Sequence, residues 1–197
     1  MENTTPAPRE KIVYAAIECI EKYGISRLTI RNIAKAAGVN SAAINYYFRS
    51  KDLLIEEAVR ISLHHGFSDW ERFLNDPALS PVERFRGFLM DFFEGGMRFP
   101  GMTRAYLFES AMQEHYGSLF VPRFNALLDR FAEELSESCG DMPKEKIRFS
   151  VVQILSAVTF AILSPGFFNE FLGRGFTDET LRKKYVDHLL ATVLHAS

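Results

Sequence analysis

The stretch T-I-R-N-I-A-K-A-A-G-V-N-S-A-A-I-N-Y-Y-F, residues 29–48, decides the fold of this chain. Thr29 is a good N-cap for a short helix, and Gly38 is placed to end that helix. A second short helix follows at once, beginning at Asn40 or Ser41. Two short helices joined by a tight turn that contains a glycine have the spacing of a helix-turn-helix.

The second helix of such a unit fits the major groove of DNA, so its two faces have different tasks. The inner face must hold a three-helix head together, and Ile44, Tyr47 and Phe48 have the spacing for it. The outer face then presents small or hydrogen-bonding side chains: Ser41, Ala42, Asn45 and Tyr46. Small side chains allow the helix to approach base edges and phosphates closely.

Helical periodicity continues along the chain, and alternating strand patterns and hairpin turns are absent from the sequence. The predicted helices span 8–23, 30–37, 40–47, 51–75, 81–97, 102–115, 117–138, 144–164 and 178–195. We therefore predict an all-α fold of about nine helices. A helix-turn-helix domain would cover residues 8–60, and a larger helical domain would cover residues 61–197.

Charge is divided unevenly between these two regions. Residues 1–51 carry eight Lys or Arg and four Glu, a balance of +4, whereas the net charge of the whole chain is -2. A basic head on an acidic body indicates that the head meets a polyanion while the body has another task.

The segment from Thr29 to Leu54, with R-S-K-D-L-L after the second helix, resembles the DNA-binding segment of TetR-type transcriptional regulators. The resemblance is close over residues 9–60 and only architectural beyond them. It implies a homodimeric, ligand-responsive DNA-binding regulator, most often a repressor, whose partner is a palindromic operator. The residues that it assigns to DNA are Thr29, Arg31, Ser41, Ala42, Ala43, Asn45, Tyr46 and Lys51.

Asn45 departs from the family pattern, which usually has tyrosine at this position. Tyrosine packs there against sugar and phosphate, whereas asparagine can bond adenine through two hydrogen bonds. Asn45 can therefore read a base or contact a phosphate, and the sequence leaves both roles open.

The body is rich in Phe and Met, with 18 Phe and six Met in the chain. Aromatic stripes at helical spacing are usually plain core, but the family resemblance implies a cavity for a small apolar or aromatic molecule. The candidate ligand-binding residues are Phe88, Phe92, Met97, Phe99, Tyr106, Met112, Phe120 and Phe124.

The last two long helices carry apolar residues on more than one face, which requires two packing partners. The alternatives are burial within one chain and a four-helix interface with a second copy, and the resemblance favours the second copy. The candidate interface residues are Phe149, Val152, Phe160, Leu163, Val186, Leu190 and Val193.

Other function classes find little support in the sequence. The five histidines are scattered and the two cysteines have no metal-like spacing, so we expect no metal site, no cofactor and no catalytic residues. The longest apolar run, from Val151 to Leu163, is too short to span a bilayer, and no signal peptide opens the chain, so we expect a cytoplasmic protein without a membrane partner. The alternative function is a ligand-independent DNA-binding protein of the same fold that acts through a protein partner.

Overall fold

A computed structural model describes residues 7–112, 120–138, 140 and 142–194, with the side chains of 108–112 left out. Within this part of the chain all regular structure is helical, which confirms the all-α prediction. The helices are α1 (Pro8–Tyr23), α2 (Ile30–Ala37), α3 (Ser41–Phe48), α4 (Lys51–Leu74), α5 (Pro81–Arg98), α6 (Pro100–Met112), α7 (Phe120–Ser138), α8 (Lys144–Leu163), α9 (Asn169–Leu172) and α10 (Glu179–Leu194). The predicted bounds agree closely where the predicted ends fall on described residues.

Two short elements were missed. A single 3₁₀ turn, Ile25–Arg27, follows α1, and α9 lies in a segment that the sequence indicates as loop. Neither is long enough to produce a helical repeat of apolar residues, which is the signal that found the other helices.

The chain forms two compact units. The first contains α1 to α3, α4 up to His65 and α6 from Gly101 onward. The second contains Gly66–Pro100 and α7 to α10. The boundary expected near residue 60 stays a prediction, and α6 groups with the N-terminal helices.

The core of the first unit is made by the apolar faces of its short helices. Ile12, Ala16 and Ile20 of α1 are fully buried, as are Ile33 of α2 and Leu54 of α4. Two residues of α6, Met102 and Ala105, belong to the same cluster.

A carboxylate of α1 completes this unit by capping α6. The side chain of Glu21 accepts hydrogen bonds from the backbone N–H groups of Gly101 and Met102, at 2.9 and 3.0 Å. The first N–H groups of a helix have no partner within the helix, and a negative charge is favourable beside them. Glu21 therefore fixes the start of α6 against α1.

The second unit has α8 at its centre, packed by α5, α7 and α10. Among its fully buried side chains are Phe88, Ile154 and Val158. Helix α8 has 20 residues and a mean hydropathy of 1.6 over an 18-residue stretch, so it is long and apolar enough to cross a membrane. This differs from the expectation based on the shorter run from Val151 to Leu163. Core helices of folded proteins meet the same criteria, and 44% of that stretch is buried inside the protein, so this is weak evidence for a membrane segment.

Candidate nucleic-acid interface

The helix-turn-helix is built from two capped helices and a left-handed glycine. The hydroxyl oxygen of Thr29 accepts from the backbone N–H of Asn32 at 3.1 Å and starts α2. Gly38 ends α2 with φ 64° and ψ 35°, while the N–H of Val39 donates to the carbonyl of Ala34. A side chain at Gly38 would be strained in this conformation, so glycine is required for the turn.

The recognition helix α3 begins at a second cap. The side-chain oxygen of Asn40 accepts from the backbone N–H of Ala43 at 2.8 Å. One turn apart on the inner face, Ile44 and Phe48 are buried. The burial of these two side chains holds α3 in place, as the sequence predicts.

Tyr47 is a correction to the predicted inner face, because its ring is 38% exposed. In an α-helix the positions of Ile44 and Phe48 already fill the narrow inner stripe, and Tyr47 lies beside it at the rim. Its ring contacts that of Tyr46 edge-on, with centroids 5.2 Å apart.

The predicted outer face of α3 is exposed. Ser41, Ala42 and Asn45 face solvent, Tyr46 is 81% exposed, and Ala43 is half-buried. The side chains of this face are therefore accessible to a partner, and the face combines small residues with the hydrogen-bonding groups of Asn45 and Tyr46.

The three predicted DNA-contacting residues outside α3 differ in exposure and in their hydrogen bonds. Arg31 is exposed on α2, whereas the Thr29 hydroxyl donates to the side-chain oxygen of Asn32 at 2.8 Å in addition to its capping bond. The ammonium group of Lys51 is half-buried and lies 3.4 Å from the carbonyl of Leu28. Lys51 therefore ties the start of α4 to the segment before α2.

Behind α3 lies an ion-pair network that sequence reasoning missed. The Glu57 carboxylate accepts from Arg60 at 2.9 Å and from Arg9 at 3.1 Å, and the Arg9 guanidinium stacks over the Phe48 ring at 5.0 Å. Hydrogen bonding from Arg60, and then from Arg9, holds the pKa of Glu57 below its ordinary value. Only the three-residue spacing of Glu57 and Arg60 is visible in the sequence, because Arg9 is distant along the chain.

In the second unit, four of the predicted ligand residues belong to one aromatic cluster. Phe88 and Trp70 lie at its centre, and the ring centroid of Trp70 is 5.5 Å from that of Phe92 and 6.0 Å from that of Phe124. We use the name aromatic cluster for Phe67, Trp70, Phe85, Phe88, Phe92, Phe120, Phe124 and Phe131. Trp70 was missed because it lies on α4, outside the helices on which the Phe-rich pattern is dense.

Three of the other four predicted ligand residues have described side chains, and none of these three makes a described ring contact with this cluster. Met97 is half-buried and Phe99 is exposed. Tyr106 lies in the first unit, where its hydroxyl donates to Ser62, and burial raises its pKa to about 12. The side chain of Met112 lies outside the described residues.

One carboxylate borders the aromatic cluster. The pKa of Asp91 on α5 is raised, first by burial and then by the charge of Asp69, while the nearby Trp70 indole acts in the opposite direction. Among the described residues, no group of three or more His, Cys, Asp or Glu could hold a metal ion.

The predicted dimer residues divide between surface and core. Phe149, Val152, Phe160 and Leu163 form an exposed apolar face of α8. Val186 and Leu190 are buried within the same chain, which corrects their assignment to a surface. Val193 is half-buried, so its place in the interface stays a prediction. Helix α10 packs on α8 and α5, and the side of α10 that contains Val186 is the buried side.

Two family descriptions cover most of the chain. Residues 12–58 match "Bacterial regulatory proteins, tetR family", and residues 100–195 match "Tetracyclin repressor-like, C-terminal domain". The chain belongs to the TetR family of transcriptional regulators. It is therefore a DNA-binding regulator with a helix-turn-helix head, and proteins of this family are not enzymes.

Individual relatives of this TetR-family chain agree with that assignment. The repressor KstR2 of Mycolicibacterium smegmatis is 33% identical over 86 residues, which are 44% of this chain and 42% of that protein. The regulator BetI of Pectobacterium atrosepticum is 27% identical over 148 residues, 74% of this chain and 75% of that protein. The chain thus spans less than half of KstR2.

A solved structure shows the same fold. The TetR-like transcriptional regulator from Rhodococcus sp. RHA1 has a TM-score of 0.70 and 18% identity, and the match covers 98% of this chain and 100% of that one.

Proposed function

We propose that this TetR-family chain acts in the cytoplasm as a homodimeric repressor, released from a palindromic operator by a small apolar or aromatic ligand. The observation that carries the proposal is the exposed outer face of α3, held between the Asn40 cap and the buried Phe48. KstR2, a relative in sequence, is named a repressor, which supports repression over activation.

The DNA contacts follow from which side chains of the head have free hydrogen-bonding groups. Asn45 and Tyr46 are exposed on α3, and the amide of Asn45 can bond adenine through two hydrogen bonds. Ser41 and Ala42 let the start of α3 approach the groove. Thr29, whose hydroxyl is engaged in the cap, would contribute mainly by ordering the start of α2 beside Arg31.

The dimer surface is best explained by the exposed face of α8. Its rings continue onto the following segment, where Phe167 and Phe168 lie with centroids 5.4 and 5.7 Å from that of Phe160. Contiguous exposed apolar surface of this kind marks an interface, and a second copy offers the same surface to itself about a two-fold axis. Such a dimer presents two recognition helices to two half-sites.

The ligand proposal rests on the aromatic cluster. Phe88, Phe92 and Phe120 are buried while Phe124 is half-buried, and flat rings with Trp70 at the centre suit an apolar or aromatic molecule. The ligand would shift the population towards a head spacing that does not fit the operator.

DNA binding is tested with the region immediately upstream of the chain's own gene, as a labelled duplex against random duplex of equal length. We expect preferential binding whose logarithmic affinity falls linearly with the logarithm of salt concentration. Equal affinity for both duplexes at every salt concentration would contradict the proposal.

Ligand response is tested by thermal shift against a panel of aromatic and long-chain apolar compounds. A stabilising compound should also lower affinity for the upstream duplex. If DNA and the compound favour different conformations, each lowers the affinity of the protein for the other by the same factor. A flat response across the panel, with DNA binding intact, would favour the alternative of a protein partner.

A further inference from the structure

Arg49, which follows the last residue of α3, has a backbone conformation that side chains rarely adopt. Its φ is 62° and its ψ is −38°, and it is the one non-glycine residue of positive φ in the described part of the chain. The N–H of Ser50 donates to the carbonyl of Phe48 at 2.6 Å, two residues back. This hydrogen bond closes a γ-turn of the rare, strained form.

The turn is fixed from both sides. The N–H of Arg49 itself donates to the carbonyl of Asn45 at 3.0 Å, and the Ser50 hydroxyl accepts from the N–H of Leu53 at the start of α4. Buried Phe48 anchors the preceding residue. The tight link between α3 and α4 therefore imposes positive φ on position 49, where glycine would fit without strain.

Within the described part of the chain, Arg49 borders a surface groove beside Arg9 and Glu57 but has no bonding partner there that would account for an arginine. Its side chain is exposed and makes no hydrogen bond or ion pair with any residue that the structure describes. The neighbouring cations differ, because Arg9 and Arg60 pair with Glu57. Backbone strain that is held in place by its surroundings is typical of functional positions.

We propose that Arg49 binds a phosphate of the DNA backbone and that the γ-turn holds its charge at the end of the recognition helix. This rests on the proposed DNA-binding function. A phosphate is favoured over a base, because base contacts come from the N-terminal part of a recognition helix, whereas Arg49 follows its C-terminal end. Because the turn already fixes the backbone at Arg49, less conformational entropy is lost when the guanidinium binds a phosphate.

Three substitutions separate the charge from the turn. Arg49→Gly removes both the charge and the strain, Arg49→Gln removes only the charge, and Arg49→Lys keeps both. Lys184→Gln, which removes a cation from the exposed side of α10, is the matched control for net charge. Each protein is titrated with the upstream duplex and with a random duplex over a range of salt concentrations, and its melting temperature is measured.

We expect Arg49→Gly and Arg49→Gln to weaken binding to both duplexes by a similar factor and to reduce the salt slope by about 0.9 for each lost phosphate contact. Arg49→Lys and Lys184→Gln should keep the wild-type slope. Arg49→Gly alone should raise the melting temperature, by about 2–4 °C.

Wild-type slopes for Arg49→Gly and Arg49→Gln would overturn the phosphate contact, and a lower melting temperature for Arg49→Gly would overturn the strained turn. Failure of the wild-type protein itself to bind DNA in a salt-dependent way would instead overturn the proposed function. A loss confined to the upstream duplex would mean that Arg49 reads a base.

Discussion

At the scale of single residues, the head presents a few side chains whose chemistry differs from that of their surroundings. Asn45 is the clearest, since it lies on the exposed face of α3 at a position where the resemblance to the family leads us to expect tyrosine. The head is held together by Ile44 and Phe48, so the side chain at position 45 is free to serve recognition.

Asn45→Tyr should change which operator variants are bound if Asn45 reads a base. A lost bidentate contact costs about 1–3 kcal/mol of discrimination, so preference at one base pair should fall by roughly 5- to 150-fold. Binding to a library of operator variants measures this, with Glu133→Tyr, which adds a tyrosine on an exposed part of α7, as the control. An unchanged preference profile would assign Asn45 to phosphate contact.

Asp91 gives a second residue-scale prediction, which concerns pH. Its folded pKa is raised by burial and by Asp69, so the folded state binds its proton more tightly than the unfolded state. At a pH where Asp91 is protonated in both states, it does not lower the free energy of unfolding. As pH rises through the ordinary carboxyl range, the unfolded state ionises first and the free energy of unfolding falls. The loss levels off above the pKa of Asp91 in the folded state.

Asp91→Asn should therefore gain stability relative to wild type as pH rises from 3 to 7. Urea unfolding followed by circular dichroism at several pH values measures the difference between the two proteins. Glu133→Gln, on an exposed part of α7, is the control for loss of one carboxylate. A difference that is constant with pH would contradict the raised pKa.

At the scale of helices, the sequence predicted best where the determining interactions are local. Thr29, Gly38 and Asn40 define the helix-turn-helix through bonds to residues at most five positions away, and all three are readable as caps or stops. Tyr47 was misplaced because an apolar run leaves open which residue occupies the centre of a narrow stripe. Trp70 and Arg9 were missed because their partners come from distant parts of the chain.

The close approach of α6 to α1 is an element-scale feature that sequence could not reveal. A Cβ atom at Gly101 would lie 2.6 Å from the Cα of Glu21 and 2.9 Å from the carbonyl oxygen of Ile20. Both are backbone atoms, which cannot move aside as a side-chain tip can. Glycine therefore permits the capping bond from Glu21.

Gly101→Ala should lower the free energy of unfolding by about 1–3 kcal/mol, as overpacking does in other interiors. Gly95→Ala is the matched control, because a Cβ there meets no atom within 4 Å and a helical glycine costs up to about 1 kcal/mol relative to alanine. Urea unfolding of both variants gives the comparison. Equal stabilities would show that α6 can shift away from α1 without cost.

At the scale of the whole molecule, the exposed apolar face of α8 is the surface that we propose for the dimer. Phe149 is 60% exposed and Val152 is 58% exposed, values unusual for large apolar side chains on a core helix. The neighbouring segment adds Phe171, which is 87% exposed. One continuous apolar surface of this kind favours an assembly of two chains.

Phe149→Lys should shift the protein from dimer to monomer, because each two-fold interface would then bury two unpaired charges. The dissociation constant should rise at least about a hundredfold, since the loss occurs twice. Analytical ultracentrifugation over a range of concentrations measures it, with Glu133→Lys on α7 as the charge control. An unaltered dissociation constant would place the dimer surface elsewhere.

The two compact units each contain a built-in reporter of their own opening. Cys19 is buried in the first unit, and burial raises the pKa of its thiol, so an alkylating reagent reacts with it only when that unit opens. Trp70, the single tryptophan, lies at the centre of the aromatic cluster in the second unit. In a Cys139→Ser variant, the labelling rate of Cys19 would follow the first unit and the fluorescence of Trp70 would follow the second. Equal unfolding free energies from the two signals would mean that the whole chain unfolds cooperatively.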